Sequence, residues 1–82
     1  MKKISIHFFG IQRLATKTDS IHMPITEKTS VTDALEYVRQ QYPDLPLAKE
    51  TVLITVNQEI ASLDTMLRVN DVVLFLPFIS GG

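Results

Sequence analysis

Val72-Val73-Leu74-Phe75-Leu76-Pro77-Phe78-Ile79-Ser80-Gly81-Gly82 runs from an apolar strand straight into two glycines at the chain's end. In such a strand Val72, Leu74 and Leu76 lie on one face, and Val73 and Phe75 on the other. A strand that is apolar on both faces belongs in the middle of a sheet, so the rest of the fold has to be built around it. Lys3 to Phe9 alternates, with Ile4, Ile6 and Phe8 on one side and Lys3, Ser5 and His7 on the other; this is a half-buried strand, ended by Gly10. Ser20 to Ile25 sets Ile21, Met23 and Ile25 against His22, and Pro24 marks an edge strand or a strand end. The polar link between the two predicts an N-terminal hairpin. One helical turn is expected within that link, around Ile11, Leu14 and Ala15.

Ser30 is a good N-cap, and Asp33 three places on makes a weaker relative of the Ser-x-x-Glu capping box. Val31, Ala34, Leu35, Val38 and Tyr42 then fall on one helical face, with Asp33, Glu36, Arg39 and Gln40 outside. Pro43 ends the helix, because the residue before a proline avoids helical angles. Val52 to Asn57 predicts another strand, with Val52, Ile54 and Val56 on one face. Asn57-Gln58-Glu59 reads as a tight turn into a short strand at Ile60-Ala61. Leu63 to Met66 is irregular, and Asn70-Asp71 is a turn pair that tolerates left-handed angles. One amphipathic helix across one face of a mixed sheet of four to five strands is the simplest two-layer solution. The expected class is α+β, a β-grasp (ubiquitin-like) domain over residues 1–78, followed by a flexible Gly-Gly tail over residues 79–82.

Composition narrows the function. The 82 residues make one small domain, and 45% hydrophobic residues suffice for a core without metal or disulfide. With no cysteine there is no disulfide, thiolate ligand or cysteine nucleophile, which fits a reducing compartment. The net charge is −1 and the eight Lys and Arg are scattered, which argues against nucleic acid as a partner. The first apolar stretch is broken by Ser5 and His7 and has no cleavage site, and no run is long enough to span a membrane. The expected address is the cytoplasm.

His7 and His22 have no partner at metal-ligand spacing, so no metal is expected. Asp33 and Glu36 sit three apart on the helix, where capping and solvation account for them. Asp64 has no base or nucleophile partner in the sequence. Without a self-contained catalytic constellation, no catalytic activity is expected of the chain alone. The terminal glycines have two readings. Chain ends commonly fray. Alternatively, glycine's freedom and lack of a side chain let Gly81 and Gly82 thread a narrow tunnel, making the terminal carboxylate the reactive group.

The chain resembles the sulfur-carrier family typified by the small subunit of molybdopterin synthase and by the thiamine-pathway carrier. The resemblance rests on the strand ending Phe8-Phe9, with Arg13 four places later, and on Val31-Thr-Asp-Ala-Leu35 in the helix. It continues in Val56-Asn57-Gln58, in Asn70-Asp71-Val72-Val-Leu-Phe-Leu-Pro77, and in Ile79-Ser-Gly-Gly82. The length and the Phe-Phe strand are more similar to the molybdopterin synthase subunit. Leu14 and Phe78 depart from the usual acidic residue and second proline, at positions where partner contacts are expected.

This resemblance implies that the Gly82 carboxylate is adenylated by a ubiquitin-activating-like adenylyltransferase that uses ATP, and then becomes a thiocarboxylate. No cofactor is expected to be bound to the chain itself. The tail, with Ser80 and Gly81, would enter the molybdopterin synthase large subunit; residues Ile79 to Gly82 can reach about 13 Å. Phe78, Ile79 and Pro77 are expected to contact the partner, together with Phe8 or Phe9. The two phenylalanines point to opposite faces of their strand, so one belongs to the core and the other to the partner patch. A thiamine-pathway carrier and a ubiquitin-like modifier conjugated through Gly82 remain the alternatives.

Overall fold

The computed structural model describes residues 2–10, 12–45 and 52–77. Alternating side chains make β1 (Lys3–His7), whose Ile4 and Ile6 are buried while Lys3 and His7 are exposed. Gly10, at φ +53°, turns the chain into a short helix, α1 (Gln12–Thr16), and β2 (Ser20–Pro24) returns antiparallel to β1. The register sets Ile4 opposite Met23 and Ile6 opposite Ile21, so the hairpin presents one continuous apolar face.

The main helix, α2 (Val31–Gln41), begins where Asp33 Oδ2 accepts hydrogen bonds from Ser30 N at 2.9 Å and Ser30 Oγ at 3.3 Å. It buries Val31, Ala34, Leu35 and Val38, the i, i+3, i+4, i+7 stripe. Tyr42, at φ −135°, has already left helical geometry ahead of Pro43. The chain then forms β3 (Val52–Val56), β4 (Glu59–Ile60) and β5 (Val72–Pro77). Asn57 and Gln58 both have positive φ, +53° and +72°, and join β3 to β4 in a two-residue hairpin turn that matches the sheet twist.

The sheet order is β2-β1-β5-β3-β4. The last strand is therefore central, parallel to β1 and antiparallel to β3, and Pro24 lies on the edge strand β2. The core joins the buried α2 stripe to Ile4, Ile6, Met23, Ile54, Val73 and Phe75 from the sheet, with Phe8, Leu45 and Leu67 sealing the ends. This is the β-grasp arrangement: a five-stranded mixed sheet with one main helix on one face.

Two local expectations are corrected. The short strand begins at Glu59 rather than Ile60, because Thr55 pairs with Ile60 and Val56 with Glu59 directly after the two-residue turn. The helical turn after Gly10 is phased differently from Leu14 and Ala15, and Ile11 lies outside the described residues. Gln12 and Thr16, four apart on one helical face, are buried at 5% and 7% exposure, while Leu14 is 76% exposed and Ala15 also faces outward. Polar residues can occupy that inward face because both are hydrogen-bonded: Gln12 to the sheet, and Thr16 Oγ1 to Thr18 O at 2.9 Å.

Candidate docking face and tail root

Because α2 covers only one face of the sheet, the alternate residues of the central strands are left on the other. The pairings place Leu53 opposite Leu76, and Leu74 between Thr55 and His7. Val72 stands beside Ser5, and Ile60 opposite Thr55. Leu53, Leu74, Leu76 and Val72 are half-buried, and Ile60 is 75% exposed. His7 and His22 lie on the β1–β2 side of this face, and Lys3 is the one charged residue among these paired open-face positions. Among the described residues no helix lies over this face, and an apolar surface of this kind on a small domain is a candidate interaction site.

The strand that carries this surface also leads into the tail. Its start is held by Asn57: Oδ1 accepts from Val72 N at 2.9 Å and Nδ2 donates to Asp71 Oδ1 at 2.8 Å. Asp71 Oδ2 in turn accepts from Arg68 N at 2.8 Å, closing the Asn70–Asp71 turn, where Asn70 has φ +69°. Two sequence fragments that carry the family resemblance, around Asn57 and around Asn70-Asp71, are thus one hydrogen-bonded unit.

Near its other end β5 is held by Gln12. The Gln12 Oε1 accepts from Phe9 N at 2.9 Å, and its Nε2 donates to Phe75 O. The β1–β5 pairing runs only to His7 and Leu74. Beyond it the Gln12 amide replaces the missing strand and satisfies a buried carbonyl that would otherwise be orphaned.

The expected site residues divide accordingly. Phe78, Ile79, Ser80, Gly81 and Gly82 lie outside the described residues. Pro77 is the last residue of β5, paired with Val52. Phe8 is a correction to the partner-contact set: it is 6% exposed and packs edge-to-face on Tyr42, with ring centroids 5.6 Å apart. Its alternation with Ile4 and Ile6 puts it in the core, which leaves Phe9, 54% exposed, as the member of the pair open to a partner. Leu53, Leu74, Leu76, Ile60 and Gln12 were missed by sequence reasoning. The signal for the leucines was available in the second apolar face of β5, since a single helix cannot cover both. Gln12 had no local signal. Asp64 has its pKa lowered by the Ser62 hydroxyl, which donates to Oδ1 at 2.6 Å; it is fully exposed and lies in the loop between β4 and β5.

A model of the ThiS family matches residues 6–82. The chain belongs to the ThiS family. Within it, the chain is 34% identical over 83 residues to the molybdopterin synthase sulfur carrier subunit of Mycobacterium tuberculosis, covering 100% of both chains. Solved structures share the β-grasp fold. The small archaeal modifier protein 1 of Methanosarcina acetivorans superposes with a TM-score of 0.81 at 23% identity, covering 100% of this chain and 98% of that one. A chain from the complex of subunits 1 and 2 of molybdopterin-converting factor from Helicobacter pylori gives 0.65 at 22% identity, covering 98% and 99%. No helix among the described residues is long and apolar enough to cross a membrane.

Proposed function

We propose that this chain is the sulfur carrier of a molybdopterin synthase. The observation that carries the reading is the end-to-end match, at 34% identity, to a family member of that function. Two features of the fold support it: a tail-bearing strand at the centre of the sheet, and an uncovered apolar face on that same strand. In this reading the Gly82 carboxylate attacks ATP on a ubiquitin-activating-like enzyme, giving an acyl-adenylate and releasing pyrophosphate. A sulfur donor then displaces AMP and leaves a C-terminal thiocarboxylate. The tail enters the large subunit and gives up its sulfur to a pyranopterin phosphate, and the carboxylate is regenerated when water replaces the sulfur. Two such transfers supply a dithiolene.

This chain contributes the sulfur-bearing terminus and the docking surface; the partner contributes substrate binding and acid–base groups. Holding the tail inside the partner makes the transfer effectively intramolecular, which is a large part of the rate gain. The open-face leucines and Phe9 supply the apolar contact that keeps it there.

The test is incubation with ATP, an activating enzyme and a sulfide source, followed by thiol-selective alkylation and intact-mass measurement. The chain has no cysteine, so labelling reports the thiocarboxylate alone. Label at Gly82, together with rescue of a strain lacking its own molybdopterin synthase small subunit, is the expected result. Rescue of a thiamine auxotroph instead would move the chain to that pathway, and high-mass lysine conjugates without label would make it a modifier.

A further inference from the structure

We propose that Gln12 is a positioning residue for sulfur loading: its side-chain amide fixes the direction in which β5 leaves the sheet, and so where the terminal carboxylate arrives in a partner's active site. The inference rests on the sulfur-carrier reading. Three observations place Gln12 in this role. First, its side chain is nearly fully buried and both ends of its amide are engaged, Oε1 by Phe9 N and Nε2 by Phe75 O. Second, the contact with β5 falls where backbone support on that side has run out. The parallel pairing with β1 stops at Leu74, and from Phe75 onward the strand has β3 alone as its paired neighbour. A strand held on one edge only can swing and twist, whereas one held on both cannot. Third, Phe75 is two residues before the end of β5, so a small rotation there changes the direction in which the chain leaves the sheet at Pro77.

Gln12 also ties this point to the surface around it. Its own backbone N–H donates to Phe9 O at 3.0 Å, so the α1 segment that carries Arg13 and Leu14, the exposed Phe9 and the end of β5 are one hydrogen-bonded unit. A partner that grips Phe9 and the open face therefore sets the tail's exit direction through Gln12. Docking should depend little on this amide, because the leucines of the face lie on β3 and β5 themselves. Turnover should depend on it strongly, since reaction requires the carboxylate within near-attack distance and a misplacement of about 1 Å can cost up to a hundredfold.

The experiment is adenylation kinetics with the activating enzyme, read as ATP–pyrophosphate exchange, for the wild-type chain, Gln12→Met and Thr16→Val, at a temperature where circular dichroism shows all three folded. Gln12→Met keeps the length and loses both hydrogen bonds. Thr16→Val perturbs the same short helix without touching β5. The expected result is a kcat lowered about tenfold in Gln12→Met with KM within about twofold, and unchanged kcat in Thr16→Val. Should Gln12→Met not fold, Gln12→Asn, which keeps a polar amide but is one methylene too short to hold both Phe9 N and Phe75 O, carries the same expectation. An unchanged kcat, or a loss lying wholly in KM, would overturn the inference and leave the carrier reading standing. No adenylation of the wild-type chain by an enzyme competent on a known carrier would overturn both.

Discussion

Leu53 and Leu76 face each other across β3 and β5 on the side of the sheet that α2 does not cover. Each is half-buried rather than sealed. A leucine pair in this state adds modestly to the stability of the free domain and has more to gain when a partner closes over it. Leu76→Ala should cost the free chain about 1 kcal/mol in urea unfolding, as part of the methyl and methylene surface is already in water. It should weaken binding to the large subunit by about 2 kcal/mol, roughly thirtyfold in Kd by calorimetry. Wild-type affinity in this variant would remove the open face from the interface.

Phe8 and Phe9 offer a paired test. Phe8→Ala opens a cavity beside Tyr42 and should cost about 3–5 kcal/mol of stability. Phe9→Ala removes a ring already more than half in solvent and should change stability by about 0.5 kcal/mol or less. The order reverses for complex formation: Phe9→Ala should weaken it in a fully folded protein. Equal melting points for the two variants would contradict the assignment of Phe8 to the core.

The Asn57 clamp is predicted to act through stability alone. Asn57→Ala loses the bonds to Asp71 and Val72 N and places a side chain that disfavours left-handed angles at φ +53°. About 1–2 kcal/mol should be lost. Asn57→Gly relieves the backbone part and should recover some of it. A double-mutant cycle with Asp71→Ala should show coupling, since the two side chains share one hydrogen bond; additive effects would mean that the contact contributes nothing.

Gly82→Ala should leave the unfolding midpoint where it is, since the core among the described residues is drawn from Ile4 to Phe75. Thiol-selective labelling after incubation with ATP, activating enzyme and sulfide should fall below detection. Labelling at the wild-type level would end the proposal that glycine's lack of a side chain is what admits the tail to the activating site.

Much of the fold was legible because its signals are local. Alternation over three to five residues marked β1, β2 and β3. Ser30, Asp33 and Pro43 bounded α2 to within a residue, and Asn57-Gln58 and Asn70-Asp71 marked turns that do adopt positive φ. The apolar character of both faces of β5 placed it at the centre of the sheet, as the observed order confirms. With one helix expected across one face, the second apolar face of β5 stays open, and the sequence already carried that signal.

By itself, then, the amino-acid sequence determined the elements, the central position of the last strand and the family, because short-range periodicity and capping are written in neighbouring residues. Tertiary structure alone decided the pairings. It set Phe8 against Tyr42, Leu53 opposite Leu76, and Gln12 on Phe75 across 63 residues of sequence. The common reason is register. Which side chain meets which across a parallel β1–β5 pair depends on long-range strand alignment, and no local pattern around Gln12 encodes the carbonyl it will satisfy.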